Sequence, residues 1–152
     1  MIQEYYELDH EGEWLPEGWQ KIDHYTKTNG KYKPRKGVFG CRWCGNYGNV
    51  EIKKEGRISC AVSEDRKYVA VFNFFGSSKT LLEIYSEEGS VIGHPISVPV
   101  SDLKMRERPT FYSIEMPLNR DEWLIKFNNG HDDFSGMLDN QFNVINCKRI
   151  RW

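Results

Sequence analysis

The groups best able to do chemistry in this 152-residue sequence are four cysteines and four histidines: Cys41, Cys44, Cys60, Cys147, His10, His24, His94 and His131. Cys41 and Cys44 stand three apart with Gly45 behind them. On a tight turn that spacing lets two thiolates face one metal ion or exchange a disulfide. A tetrahedral metal site needs two further ligands, and the remaining thiols are single. The simpler reading is that all four are small buried fillers, because free cysteine is among the most buried residue types. For the histidines, catalysis needs a base beside an activated nucleophile, or an acid and a base in one pocket. The sequence contains no Gly-x-Ser-x-Gly elbow, no phosphate-cradling glycine loop and no His-Glu-x-x-His helix. Asn129-Gly130-His131-Asp132-Asp133 offers metal ligands, but a polar run after Asn-Gly also reads as a hairpin tip. No reaction centre is legible, so a non-enzyme without cofactor or resident metal is predicted.

The run Val38-Phe39-Gly40-Cys41-Arg42-Trp43-Cys44-Gly45-Asn46-Tyr47 resembles the Cys-x-x-Cys-Gly knuckle of zinc ribbons and rubredoxins. The resemblance covers about ten residues and half a site. It implies zinc only where the fold brings Cys60 and Cys147 to the same place.

Charge is distributed unevenly. Residues 1–23 carry a net charge of −6 and residues 24–57 a net +7, inside a total of −1. The acidic segment interleaves carboxylates with two indoles, and Glu7, Asp9, Glu11, Glu13, Trp14, Glu17 and Trp19 are the candidate partner-binding residues. Aromatics can anchor a protein interface while carboxylates steer a basic partner, for instance the phosphate groove of a nuclease. The plainer account is a charged segment that Trp14 and Trp19 pin to the core. In the basic segment, Lys27, Lys31, Lys33, Arg35, Lys36 and Arg42 alternate with Tyr25, Tyr32, Phe39 and Trp43. Cations there can neutralise phosphates while rings stack on bases. A sequence pI near 6.4 lies well below that of dedicated nucleic-acid binders.

The elements that must position these groups are strands. Alanine occurs twice and leucine 8 times, against 45 residues of Val, Ile, Thr, Tyr, Phe and Trp. The second group fits a pleated sheet better than a helix. Strand signals begin near residue 50. They include Ile58-Cys60-Val62, the two-faced apolar run Tyr68–Phe75, Thr80–Tyr85, Val91-Ile92, Ile96–Val100, Trp123–Phe127 and Asn143–Ile150. One short helix is signalled by the capping residues of Ser101-Asp102-Leu103-Lys104. A shift of 53 residues lays Tyr68–Ile92 on Asp121–Ile145, a faint echo compatible with a β-trefoil or propeller-like hairpins.

The reading is one all-β domain over 1–152, a compact antiparallel sandwich or barrel with at most one or two short helices. The acidic start and the absence of an 18-residue apolar run point to neither a signal peptide nor a membrane span, and to the cytoplasm, where thiols stay reduced. The preferred function is a non-catalytic protein-binding module, a small bacterial immunity protein that blocks a toxin's active site. The alternatives are a nucleic-acid module using residues 25–57, with or without a zinc knuckle, and a carbohydrate- or ligand-binding β domain.

Overall fold

A computed structural model describes residues 1–21, 27–28, 31–32, 37–73, 81–93, 110–128 and 131–150. The described chain is nearly all strand: β1 (Glu4–Asp9), β2 (Trp14–Pro16), β3 (Lys27–Thr28), β4 (Lys31–Tyr32), β5 (Val38–Gly45), β6 (Gly48–Val62), β7 (Tyr68–Asn73), β8 (Leu81–Ser86), β9 (Val91–Gly93), β10 (Thr110–Glu115), β11 (Leu124–Asn128), β12 (Asp133–Leu138) and β13 (Val144–Arg149). Two 3₁₀ turns, Trp19–Lys21 and Arg120–Glu122, are the helical pieces among the described residues. No helix among those residues is long and apolar enough to cross a membrane.

A seven-stranded antiparallel sheet runs in the order β2-β1-β5-β6-β7-β8-β9 and a four-stranded one in the order β10-β11-β12-β13, with β3 and β4 forming a separate hairpin. The large sheet is buried on both faces along β7, as its unbroken apolar sequence requires. Ala70 and Phe72 point toward the small sheet, and Val69 and Val71 point away from it. Between the sheets, Phe72, Leu82 and Ile84 meet Trp123, Ile125 and Phe127. Trp123 is fully buried, stands edge-on to Tyr68 with ring centres 5.1 Å apart, and donates its indole N–H to Pro117 O at 3.2 Å. Burying a large apolar side chain of this kind contributes roughly 2–3 kcal/mol.

The far face of the large sheet closes on itself. β6 pairs with β5 from Gly48 to Lys53, and β5 next meets it at Ile58, so residues 54–57 form a bulge that bends the strand. From Ile58 to Val62 it pairs with β7. Three interstrand steps of about 4.8 Å would hold β5 and β8 roughly 14 Å apart in a flat sheet. Here Trp43 of β5 and Tyr85 of β8 are 6.3 Å apart, ring centre to ring centre, and the Trp43 indole donates to Glu87 O at 2.7 Å. At Gly89, with φ +89°, a Cβ would stand 2.6 Å from Val50 Cγ1, so both the backbone and the close approach require glycine. A second core lies inside the curl, built on Ile2, Tyr5, Trp43, Ile58, Val71 and Tyr85.

The all-β, sandwich-like expectation holds. Strands start earlier than the residue patterns signal, at Glu4, because the inward positions of β1 are polar. The 53-residue echo lays β7–β9 on β11–β13, three-strand meanders belonging to different sheets. The signalled strand Ile96–Val100 and helix Ser101–Lys104 lie outside the described residues.

Candidate functional site

A strand turns alternate side chains to opposite faces, and β1 divides the acidic segment by that rule. Tyr5, Glu7 and Asp9 point into the curl, whereas Glu4, Tyr6 and Leu8 point out. Glu7 is 8% exposed and accepts from the Trp19 indole N–H at 3.0 Å and the Tyr5 hydroxyl at 3.3 Å. Burial raises its carboxyl above the ordinary glutamate range, the two hydrogen bonds pull it back in part, and the Glu17 carboxylate adds a smaller upward push. Asp9, 2% exposed, accepts the backbone N–H groups of Glu11 at 2.9 Å and Glu13 at 2.8 Å. It thereby shapes the turn between β1 and β2.

The other members of the candidate set face water. Glu11 and Glu13 are exposed on that turn, Glu11 lying 3.4 Å from His10 Nε2. Glu17 is tied to Arg66 at 2.6 Å. Trp14 is half-buried on the outer face, across β1 from β5. Tyr6 stands directly opposite both Arg42 and Pro16, and Leu8 opposite Trp14. The Arg42 guanidinium lies 4.5 Å from the Trp14 ring centre and 4.9 Å from that of Tyr6. Beside this cluster is an open cavity of about 440 Å³ bordered by Glu4, Tyr6, Arg42, Cys44, Asn49 and Glu51. The seven residues singled out in the sequence therefore do not form one surface. Glu7, Asp9 and Trp19 serve the fold, while Glu11, Glu13, Trp14 and Glu17 are accessible. Sequence reasoning missed Tyr6, and it assigned Arg42 to a different segment.

The four thiols do not converge on one point either, although Cys41 and Cys60 meet. Cys41 and Cys44 sit on β5, where an odd separation sends them to opposite faces, so the pair is not a knuckle. Cys41 is fully buried in the curl beside Cys60 and Tyr5. The Cys60 thiol is held well above its ordinary value by its hydrogen bond with Cys41 and then by burial. Tyr5 is raised by burial and then by the neighbouring Cys60 and Cys41 sulfurs. Cys147 belongs to β13 of the small sheet. Among the described residues no group of three or more His, Cys, Asp or Glu side chains could hold a metal ion. Asp132 and Asp133, from the polar run after Asn129-Gly130, bond Arg149 and the Asn128 side chain, as expected of a hairpin tip.

Of the basic aromatic segment, Lys33, Arg35, Lys36 and Tyr25 lie outside the described residues, and Lys27, Lys31 and Tyr32 are described only as backbone of β3 and β4. Trp43 is 2% exposed and no platform for a base.

Comparison with known proteins adds one likeness. The fold matches a chain in the solved structure of Tne2 in complex with Tni2, with a TM-score of 0.70, over 99% of this chain and 100% of that chain. Sequence identity is 13%, so the likeness is one of fold. No family model and no curated protein sequence matches the chain.

Proposed function

We propose that this chain is a non-catalytic protein-binding module, and within that class an immunity protein that neutralises a bacterial toxin, such as a nuclease, by covering its active site in the cytoplasm. The observation that carries the reading is the end-to-end fold likeness to a chain of a two-protein complex. The chemistry of the chain agrees with it. Three of the described groups able to serve a reaction are engaged in the fold: Glu7 by Tyr5 and Trp19, Asp9 by two backbone amides, Cys41 by the inner core. The exposed carboxylates of the β1–β2 hairpin supply charge for a basic partner.

The test uses the protein encoded by the gene adjoining this one. Co-expression and gel filtration should yield a stable complex of the two chains, with Kd below about 100 nM, as in other pre-organised complexes of ordinary interface size. The partner's toxicity should vanish in the complex. Failure of the two purified proteins to associate at micromolar concentration overturns the reading.

A further inference from the structure

Among the described residues two arginines lie against aromatic rings, and their surroundings differ. Arg120 lies 3.9 Å from the Phe142 ring centre and donates to Asn140 O at 3.2 Å, so it closes the edge of the inter-sheet core. Arg42 sits mid-strand, paired through its backbone on both sides, and its exposed guanidinium lies against Tyr6 and Trp14 and makes no hydrogen bond or ion pair with any described residue. Contact with the two rings restrains the guanidinium, and its donors are unclaimed by any described residue. Trp, Tyr and Arg are the residues most enriched at the energetic centres of protein interfaces. A guanidinium already ordered by stacking loses less freedom when a second molecule binds it.

The surroundings indicate which partner fits. Glu4 and Glu51 border the adjoining cavity, and Glu11 and Glu13 project from the turn that leads into β2. Glu51 has Lys53 at 3.0 Å, while Glu4, Glu11 and Glu13 have no lysine or arginine partner among the described residues. The cavity, at about 440 Å³ and bordered by Tyr6 and Glu4, has room for a long cationic side chain. We infer that Tyr6, Trp14 and Arg42 anchor the interface with a protein that presents a basic surface, one lysine or arginine of which enters the cavity beside Glu4. This inference rests on the protein-binding reading above and moves the centre of that interface from the acidic turn to the outer face of β1, β2 and β5.

Anchor and rim make separable contributions to binding kinetics. Truncating an anchor mainly speeds dissociation, whereas reversing rim charges mainly slows association in a salt-dependent way. The experiment is surface plasmon resonance of the full chain against the purified product of the adjoining gene at low and high salt. Trp14→Ala and Arg42→Ala are each expected to raise the dissociation rate about 30-fold, the effect of losing a hot-spot side chain. Arg42→Lys should recover little of it, because an ammonium lacks the planar fork. Glu11→Lys with Glu13→Lys should lower the association rate about tenfold at low salt and far less at high salt. Leu118→Ala, an exposed site on the segment before the second 3₁₀ turn, should change neither rate. Near-ultraviolet circular dichroism establishes that each variant is folded, and Tyr6→Ser replaces any that is not. Tight binding that survives Trp14→Ala and Arg42→Ala within twofold overturns the anchor and leaves the protein-binding reading standing. Absence of binding by the unaltered chain overturns both.

Discussion

The two faces of β1 carry nearly the same residue types and do opposite work. Inward, Tyr5, Glu7 and Asp9 join Trp19 in bonds that all stay within the chain. Outward, Glu4 and Tyr6 join Trp14 and Arg42, whose side-chain polar groups have no hydrogen-bond partner among the described residues. Both sides hold a tyrosine, a glutamate and an indole. Burial decides between them: an enclosed carboxylate must find donors, and an exposed one is satisfied by water and remains available. Chemical identity alone is thus a poor guide to which acidic residues of this segment can touch a partner.

Substitutions on the two faces should separate stability from binding. The largest difference is expected between the indoles of the two strands that flank β1, Trp43 of β5 and Trp14 of β2. Trp43→Ala removes a 2%-exposed ring and the bond to Glu87 O, and should cost about 3–5 kcal/mol in urea unfolding. Trp14→Ala should cost about 1 kcal/mol or less. Equal losses would show that the outer face is structural after all. Next in size, Asp9→Ala leaves the amides of Glu11 and Glu13 without their acceptor and should destabilise by about 2 kcal/mol.

A smaller effect is predicted for Glu7→Gln, and it depends on pH. Burial holds the folded carboxyl above 4.5, so the native chain binds this proton more tightly than the unfolded chain does. The associated stability is fully present below pH 4.5 and is lost as pH rises through the raised value. Unfolding free energies measured from pH 4 to pH 8 should therefore show the native protein losing ground to Glu7→Gln with rising pH. A difference that stays flat with pH would mean Glu7 is solvated in solution. The smallest stability effect belongs to Glu11→Lys with Glu13→Lys, within about 0.5 kcal/mol, since both side chains are exposed. A clear loss of melting temperature there would assign those carboxylates to the fold and remove them from the interface.

Of the strands beyond residue 50, β7, β8 and β11 were legible because their buried positions are apolar, whereas β10 and β12 carried no strand signal that the sequence reading recognised. Val69, Ala70, Val71 and Phe72 declare burial on both faces, and Ile125 and Phe127 on one. β1 and β5 were not legible. The inward set of β1 reads Tyr-Glu-Asp, which no hydrophobic alternation marks, and Gly40-Cys41-Arg42-Trp43-Cys44-Gly45 has the look of a turn. The spacing of Cys41 and Cys44 suits a metal on a turn and forbids it on a strand, and local sequence does not choose between the two.

By itself the sequence determined the sheet-forming character of the chain, through stiff, branched and aromatic side chains broken by short polar turns, and the charge contrast of its first third. The tertiary structure decided which members of that contrast are accessible. Inward or outward placement follows from pairing register, where a slip of one residue exchanges the two faces. The curl that gives β1 an inside depends on a bulge at 54–57 and on contacts such as Trp43 with Tyr85. Those partners are far apart along the chain, so no local stretch of residues could announce them.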